Sequence, residues 1–295
     1  MNSFLPQKFD RSVSLIAWGL NEEILLEDFL NRSFDLLAKV ADDYEVIFVD
    51  DGSTDRTPEI LKAYQANEPR LKVITNETNL NIGQSSRRAI AGATKDFVFW
   101  QTVDWSYDIK NLRIFLELTR HFDVVQGVRP VPIRLLSYIP VLRSIYRVRT
   151  RSDNLRKAIV SLGNYYILRI LFGVPFQDFQ NVTIYPTKLL QSVKLTADSS
   201  FINPECLLRT YERGATYIEV PISFIPRTAG EAKGTKFKAI RRSIRDIAYA
   251  FCDWGWRRRG QNRREARHRI FRVWQPFNID EDVIRLVAPL FKDFR

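Results

Sequence analysis

The chain has 295 residues, 45% of them hydrophobic and 13% aromatic, which is enough to build a sizeable core and argues against wholesale disorder. Its net charge of +11 comes from one segment, because residues 233–272 hold 14 Lys or Arg against 3 acids and the rest of the chain is balanced. Two cysteines, Cys206 and Cys252, lack metal or redox spacing and favour a reducing compartment.

Membrane-spanning and secretory signals are not apparent in the sequence. No stretch reaches the ~20 apolar residues that a spanning helix needs, and MNSFLPQKFDRS lacks the layout of a signal peptide. We therefore expect a cytoplasmic protein, either soluble or peripheral on the cytoplasmic face of a membrane.

The first 128 residues alternate short apolar strands with helices. The predicted strands are 12–18, 45–49, 71–75, 97–101 and 123–127, and the predicted helices are 22–39, 58–66, 84–93 and 109–120. This alternation indicates an α/β fold whose sheet is largely parallel, with right-handed crossovers.

The second half is more mixed. Apolar residues from Leu155 to Ile170 recur at helical spacing, and strands are predicted at 182–186 and 216–226. A basic amphipathic helix is predicted at 236–259, with an apolar stripe formed by Phe237, Ile240, Ile244, Ile247, Phe251 and Trp254. A short helix is predicted at 280–291. We therefore expect a core domain over 1–235 and a basic helical extension over 236–295.

The run VIFVDDGSTDRTPE, residues 46–59, carries the strongest functional signal. An apolar strand leads into Asp50 and Asp51, and a Gly-Ser-Thr turn then leads to Thr57-Pro58, which is typical of a helix N-terminus. Acids at the carboxyl end of a buried strand lie where open α/β sheets bind ligands, and amides at the next helix suit an anion. A capped turn with solvated acids is the alternative.

This run resembles the nucleotide-sugar-binding signature of family 2 glycosyltransferases, and similar elements follow in order over about residues 12–245. The resemblance implies a GT-A-type, Rossmann-like sheet flanked by helices. It also implies inverting transfer of a sugar from a UDP- or GDP-linked donor. In that family pattern Asp50 contacts the base or ribose, while Asp51 and Gly52 shape the loop.

Two more loops match donor-binding elements of the family. Asn21-Glu22 is similar to the loop after the first strand, where Glu22 contacts the nucleotide; alternatively, Glu22 is an acid in the first turn of a helix. NLNIGQSSRRAIAGATKD resembles an Asn-x-Gly segment in which Asn81 and Gly83 let the backbone approach the donor. Arg87 or Arg88 then faces a phosphate, or simply faces solvent.

The metal-binding element of the family is only partly present. Where the family carries Asp-x-Asp after its fourth strand, this chain reads Thr102-Val103-Asp104. The resemblance implies that Asp104 and Thr102 meet the donor and that Asp104 binds Mg²⁺ or Mn²⁺. One carboxylate suffices for Mg²⁺ when substrate phosphates and water complete the shell. Asp108 is a possible helper or a helix cap.

Two later segments bear on the acceptor. LFGVPFQDFQNVTIYPTKLL resembles a segment of polyprenyl-phosphate sugar transferases in which Asp178 positions the acceptor or acts as a base. The stretch from Glu205 through EVPI to Arg227 and Lys233 is similar to the lipid-phosphate subgroup, which includes dolichyl-phosphate mannosyltransferase. Two cations on a glycine-containing loop suit phosphates; a solvated basic loop is the alternative.

The acceptor predicted from this resemblance is a polyprenyl or dolichyl phosphate. A phosphate monoester is largely ionised near neutral pH and needs cations and alignment rather than a strong base. A hydroxyl acceptor would need a carboxylate base, Asp178 or Glu205. The basic helix either lies on an anionic membrane or packs on the sheet with its arginines in water.

Three rival functions remain open at this point. Thr102 is compatible with a non-catalytic GT-A-like module that binds nucleotide sugars. A nucleotidyltransferase would prefer a glycine-rich basic loop after the first strand, where this chain has LIAWGLNEE. The arginine-rich tail raises nucleic-acid binding, but the body has no aromatic-basic recognition motif, so we expect no nucleic-acid partner.

Overall fold

The computed structural model describes residues 8–128, 155–222, 225, 237–274 and 280–290, with the backbone alone for 155–162. Eight strands form one sheet in the order β3-β2-β1-β4-β6-β5-β7-β8. The strands are β1 Val13–Gly19, β2 Tyr44–Asp50, β3 Leu71–Thr75, β4 Phe97–Trp100, β5 Val124–Val128, β6 Thr183–Pro186, β7 Tyr217–Pro221 and β8 Ile270–Arg272. All pairs are parallel except those of β6, which runs antiparallel to both neighbours.

Ten α-helices lie within the described residues. They are α1 Leu26–Val40, α2 Thr57–Asn67, α3 Asn81–Gly92, α4 Leu112–Leu118, α5 Leu155–Phe172, α6 Thr187–Gln191, α7 Ile202–Glu212, α8 Phe237–Ala250, α9 Trp256–Arg269 and α10 Glu281–Val287. A π-helical segment, Phe251–Gly255, joins α8 to α9. The expected mostly parallel α/β sheet flanked by helices is thus confirmed.

Strands β1 to β3 are aligned so that their carboxyl ends coincide. Gly19 pairs with Asp50, and Asp50 pairs with Thr75. Strand β2 is buried over its whole length, which explains its unbroken apolar run between flanking helices. The loops that follow these strands therefore start at one edge of the sheet, where the predicted site residues lie.

The basic C-terminal segment is integrated with the sheet. Strand β8 pairs in parallel with β7, and the helices that precede it pack on α5 around Phe172, whose ring lies 5.0 Å from that of Trp254 and 6.2 Å from that of Phe251. A Cβ on Gly255 would lie 2.4 Å from the Phe172 ring. The helix predicted as one element over 236–259 is therefore interrupted by a π turn that buries Trp254. The division of the chain at residue 235 stays a prediction.

No helix within the described residues combines the length and apolarity needed to cross a bilayer. Both cysteines are free thiols, with Cys206 buried and Cys252 exposed.

Candidate donor site at the carboxyl edge of the sheet

Asp50 and Asp51 occupy the tip of β2 and play different parts. Asp50 is buried, and its Oδ1 accepts a hydrogen bond from the amide of Ser53 at 3.0 Å. Asp51 Oδ1 accepts three hydrogen bonds from the segment after β3: from Asn76 Nδ2 at 2.7 Å, the Leu80 amide at 2.8 Å and Ser85 Oγ at 2.9 Å. Asp51 therefore ties the loop after β3 to the tip of β2.

Backbone in the left-handed region concentrates at the same edge. Within the described residues, the non-glycine positions with positive φ are Asn21 at 55°, Asn81 at 69° and Trp105 at 51°, and all three follow β1, β3 or β4. Gly52 has φ 79°, and a Cβ there would lie 2.8 Å from the Thr78 carbonyl carbon. Strained backbone persists where the surroundings enforce it, and it tends to cluster at functional sites.

The loop after β1 interlocks with the loop after β2. The Asn21 amide donates to Ser53 Oγ at 2.9 Å, and Asn21 Oδ1 accepts from the Thr54 amide at 2.9 Å. The amide of Glu22 donates to Thr57 Oγ1 at 2.9 Å, which fixes Glu22 beside the start of α2. Glu22 thus lies next to the acid-bearing loop; its contact with a nucleotide stays a prediction.

The start of α3 is packed against another segment of the protein. A Cβ on Gly83 would lie 2.1 Å from the Ala197 carbonyl oxygen, so the glycine permits the close approach of residues 197–198. Arg87 pairs with Asp198 at 2.9 Å, and Arg88 donates to the Asn76 side chain. Arg87 is half-buried and paired, whereas Arg88 is exposed although it contacts Asn76. Contact of either arginine with a phosphate, and of Gly83 or Asn81 with a donor, stays a prediction.

Thr102 and Asp104 share one turn after β4. The Ser106 amide donates to both Thr102 Oγ1, at 3.0 Å, and Asp104 Oδ1, at 3.3 Å, so the two side-chain oxygens lie on the same side of the loop. Ser106 Oγ also donates to Asp104 Oδ1 at 2.7 Å. Trp105 secures the turn by packing on Phe29 and under the Arg32 guanidinium. Asp108 accepts from the Lys110 amide at 3.2 Å, as a capping residue does.

The fit of this turn to a divalent metal is partial. Within the described residues, no three His, Cys, Asp or Glu side chains come together as a preformed metal site. One carboxylate and one hydroxyl oxygen on the same side of a loop suit Mg²⁺ or Mn²⁺ only when a ligand's phosphates and water complete the shell. The residues present therefore fit a metal that arrives with its diphosphate.

Asp178 lies at the same edge but is occupied by its own loop. Its buried carboxylate accepts from the amides of Phe179 at 2.9 Å and Gln180 at 3.2 Å, and from Asn181 Nδ2 at 3.4 Å. Tyr107 Oη donates to the Gln180 carbonyl at 3.2 Å, joining this loop to the turn that carries Asp104. This geometry favours a loop-holding role for Asp178, and the predicted role as a base gains no support from it.

Glu205 is likewise buried and structural in its contacts. It accepts hydrogen bonds from the amides of Thr196 and Ala197, both at 2.9 Å, and from Thr196 Oγ1 at 2.8 Å. Asp246 on α8 holds the next two amides, those of Asp198 at 3.0 Å and Ser199 at 2.9 Å. Two carboxylates thus fix residues 196–199 against the start of α3.

The segment that carries Arg227 and Lys233 lies outside the described residues, but its anchor is described. The amide of Ile225 donates to the Ser106 carbonyl at 2.9 Å, within the turn of Asp104. Ile225, two residues before Arg227 in the sequence, is therefore held in the turn that carries the predicted metal ligand.

Two charged residues of this region were missed by sequence reasoning. Arg242 on α8 donates to Asn81 Oδ1 across 161 residues of chain, a contact that no local pattern reveals. Glu219 on β7 is buried against Arg272 on β8, with Arg272 Nε 2.7 Å from Glu219 Oε2. Burial raises the pKa of Glu219 to about 7, while the Arg272 guanidinium acts in the opposite direction.

Comparison with curated proteins gives several glycosyltransferases. Glycosyltransferase AglD of Haloferax volcanii is 23% identical over 223 residues, which is 73% of this chain and 33% of AglD. Putative glycosyltransferase EpsE of Bacillus subtilis is 34% identical over 117 residues, 38% of this chain and 41% of EpsE. The chain thus spans well under half the length of either. Undecaprenyl-phosphate mannosyltransferase of Micrococcus luteus is 26% identical over 196 residues, covering 64% of this chain and 75% of that enzyme.

Solved structures with this fold include glucosyl-3-phosphoglycerate synthase from Mycobacterium tuberculosis. Its complex with Mn²⁺, UDP-glucose and phosphoglyceric acid has a TM-score of 0.58 at 16% identity, and its complex with Mn²⁺, UDP and glucosyl-3-phosphoglycerate has a TM-score of 0.55 at 18% identity. Each comparison covers 82% of this chain and 80% of that chain. The likeness confirms the expected GT-A fold.

The family assignment rests on the sequence. The family model described as glycosyl transferase family 2 matches residues 19–170, just over half of the chain. That range holds the β1, β2 and β4 tips with Glu22, Asp50 and Asp104. The chain belongs to glycosyl transferase family 2.

Proposed function

We propose that this protein transfers a sugar from a UDP- or GDP-sugar to a polyprenyl phosphate, with inversion at the anomeric carbon. The observation that carries the proposal is the hydrogen bond from the Ile225 amide to the Ser106 carbonyl, which holds the residue two positions before Arg227 in the turn of Asp104. The family resemblance assigns Arg227 and Lys233 to a phosphate acceptor, for which two cations supply charge. Likeness to an undecaprenyl-phosphate mannosyltransferase supports the acceptor class.

The residues divide the work between donor and acceptor. Asp50 binds the base or ribose through its second carboxylate oxygen, on a loop that Asp51 and Gly52 hold. Asp104, with Thr102, would hold Mg²⁺ or Mn²⁺ together with the donor's diphosphate, and such a metal would stabilise the charge that develops on the leaving group. Arg227 and Lys233 bind and orient the acceptor phosphate.

The reaction needs no carboxylate base under this assignment. A phosphate oxygen of the ionised acceptor attacks C1 of the sugar, the bond from C1 to the diphosphate oxygen breaks, and the nucleoside diphosphate leaves with the bonding electrons. Proximity and orientation contribute much of the acceleration. The loop-holding contacts of Asp178 and Glu205 agree with a mechanism that uses neither as a base.

The direct test compares two acceptors that differ by one group. The protein is incubated with UDP- and GDP-sugars, Mg²⁺ or Mn²⁺, and either a short polyprenyl phosphate or the matching polyprenol. We expect a lipid-linked sugar only from the phosphate, with inverted configuration. Transfer to the polyprenol or to a glycan hydroxyl instead would establish a hydroxyl acceptor. Binding of nucleotide sugars without turnover on either would favour a non-catalytic module.

We also propose that the outer face of α8 attaches the protein to an anionic membrane surface. The predicted apolar stripe divides in the structure, because Ile247 and Trp254 are buried while Phe237 is 81% and Ile244 60% exposed. Exposed Lys238 and Arg241 flank these apolar side chains, and Trp256 is also exposed. Apolar residues with adjacent cations suit a surface of anionic lipid.

Sedimentation with vesicles tests the attachment. We expect binding to vesicles containing phosphatidylglycerol, weaker binding at high salt, and little binding to pure phosphatidylcholine. The double variant F237S/I244S should lose most of that binding. Equal sedimentation of the variant and the wild type would show that this face does not carry the attachment.

A further inference from the structure

Helix α8 has an inner face that contacts residues 196–200 and Asn81, at the end of the loop between β3 and α3 (residues 76–81, the donor loop). On that face Asp246 holds the amides of Asp198 and Ser199, and the hydroxyl groups of Ser243 and Ser200 lie 3.1 Å apart. One turn closer to the start of the helix, the guanidinium of Arg242 donates to Asn81 Oδ1. Three elements therefore meet here: α8, residues 196–200 and the start of α3.

Asn81 is the last residue of the loop that is hydrogen-bonded to Asp51 at the tip of β2. The residue before it, Leu80, donates its amide to Asp51 at 2.8 Å, and the Asn81 amide donates to Asn79 Oδ1 at 2.9 Å. Asn81 itself stands at φ 69°, a conformation that its surroundings must maintain. Arg242 contacts Asn81 through the side chain, where it can hold this conformation.

The charge of Arg242 is not neutralised by its partner. Arg87 beside it forms an ion pair with Asp198 at 2.9 Å, and Arg245 pairs with Asp246 at 3.0 Å. The partner of Arg242 is a neutral amide, and no carboxylate in the described part of the chain lies within ion-pair distance of it. The guanidinium is also partly buried, where charge interactions are stronger than in water. A positive charge without an ion-pair partner among the described residues thus stands beside Asn81, at the end of the loop that Asp51 holds.

We propose that Arg242 is a positioning residue of the donor site: it holds Asn81 in its left-handed conformation at the end of the loop that Asp51 ties to the tip of β2. This inference rests on the proposed function in that the ligand is a nucleoside diphosphate sugar. It makes α8 a two-sided element, with one face toward lipid and the other toward the donor loop.

Donor binding by the full chain, measured by titration calorimetry with UDP- and GDP-sugars and Mg²⁺ or Mn²⁺, tests the proposal. We expect R242Q to raise the donor Kd about tenfold, with kcat at saturating donor within about twofold of the wild type. R242K, which keeps the positive charge but loses the planar guanidinium, should raise the donor Kd about threefold. R264Q is the matched control, because Arg264 is exposed on α9 and its substitution removes the same charge. The R264Q variant should bind the donor as the wild type does.

A double-mutant cycle with Asn81 separates positioning from general charge. If Arg242 acts through Asn81, N81A/R242Q should bind the donor no more than about twofold worse than the weaker single variant. Wild-type affinity in folded R242Q, or an equal loss in R264Q, would overturn the proposal. If R242Q does not fold, the proposal is tested with R242K. A donor Kd of R242K equal to that of the wild type would then overturn the proposal. A wild type that binds no nucleotide would overturn the proposed function and, with it, this inference.

Discussion

Strands β2 and β7, one in each half of the sheet, carry buried carboxylates that are held in different ways. At the tip of β2, Asp50 and Asp51 accept hydrogen bonds from amides, a hydroxyl and a neutral side chain. In the middle of β7, Glu219 is paired with Arg272 on β8. Asp50 and Asp51 thus have neutral hydrogen-bond donors as partners, whereas Glu219 has a cation.

This difference has a consequence for the ligand. A diphosphate placed against charge-bearing acids is repelled unless a cation lies between or beside them. In the proposed mechanism, a divalent metal bound at Asp104 would meet that need.

The largest expected effect is on catalysis at the β4 turn. Asp104→Ala should lower kcat by a factor on the order of 10³, because it removes the carboxylate that is proposed to bind the metal beside the leaving diphosphate. The measurement is product formation at saturating donor, with circular dichroism to show that the fold is intact. Asp108→Ala is the control in the same loop, since Asp108 only caps a backbone amide. Unchanged turnover in Asp104→Ala would remove Asp104 from the mechanism.

Removal of Asp51 tests whether the loop after β3 depends on one acceptor. Asp51→Ala should lower the free energy of unfolding by about 3 kcal/mol or more, because three donors lose a charged partner in a buried place. Urea denaturation measures the loss. The control is Asp42→Ala, because Asp42 is exposed and forms a surface ion pair with Lys8. This substitution should change the free energy of unfolding by less than about 1 kcal/mol. Equal effects would mean that Asp51 does not organise the loop.

The pH dependence of stability tests the arginine-paired carboxylate on β7. With the pKa of Glu219 raised to about 7, the folded state holds a proton that the unfolded state releases above about pH 4.5. The contribution of Glu219 therefore falls as pH rises from about 4.5 to 7, by about 3 kcal/mol in all. Urea denaturation at pH 5 and pH 8 should show this fall in the wild type.

Glu219→Gln isolates that contribution. Glutamine has no proton to release, so the difference in unfolding free energy between wild type and variant should change with pH in the stated direction. A difference that is constant between pH 5 and pH 8 would show that Glu219 titrates normally or remains ionised beside Arg272.

A smaller effect on stability is expected where the start of α3 contacts residues 197–198. Gly83→Ala places a methyl group 2.1 Å from the Ala197 carbonyl and should cost about 1–3 kcal/mol of stability. Gly260→Ala on α9 meets nothing within 4 Å and should stabilise by about 0.5–1 kcal/mol. Thermal melting of both variants compares them. A neutral Gly83→Ala would mean that the α3 start and residues 197–198 separate easily.

Local patterns in the sequence were sufficient for much of the fold. The apolar runs of β1 to β5 are compact and separated by helices, so their predicted bounds lie within one residue of the observed ones. Strand β8 was missed, because it has only three residues and follows an arginine-rich helix. Its place depends on pairing with β7, and the Glu219–Arg272 contact that accompanies it joins positions far apart in sequence.

The site shows the same division between local and distant information. The position of Asp50 and Asp51 after an apolar strand pointed to a ligand site, and the family resemblance added Thr102 and Asp104; the structure brings these loops to one edge. Arg242 was treated only as a surface cation of a basic helix, since its contact with Asn81 depends on how α8 packs. Asp178 and Glu205 were candidate bases, and only the structure reveals that amides of their own or a neighbouring loop occupy them.

Thermal stabilisation by nucleotide sugars tests the central claim that the acid-bearing edge binds an activated sugar. Melting is followed with UDP- and GDP-sugars at about 100 times their Kd, with and without Mg²⁺ or Mn²⁺. We expect one nucleotide class to stabilise the protein by about 2.7 kcal/mol, or roughly 5–10 °C, more strongly with metal than without. Asp50→Ala should abolish the shift. No shift with either class at millimolar concentration, in a protein that melts cooperatively, would contradict the account.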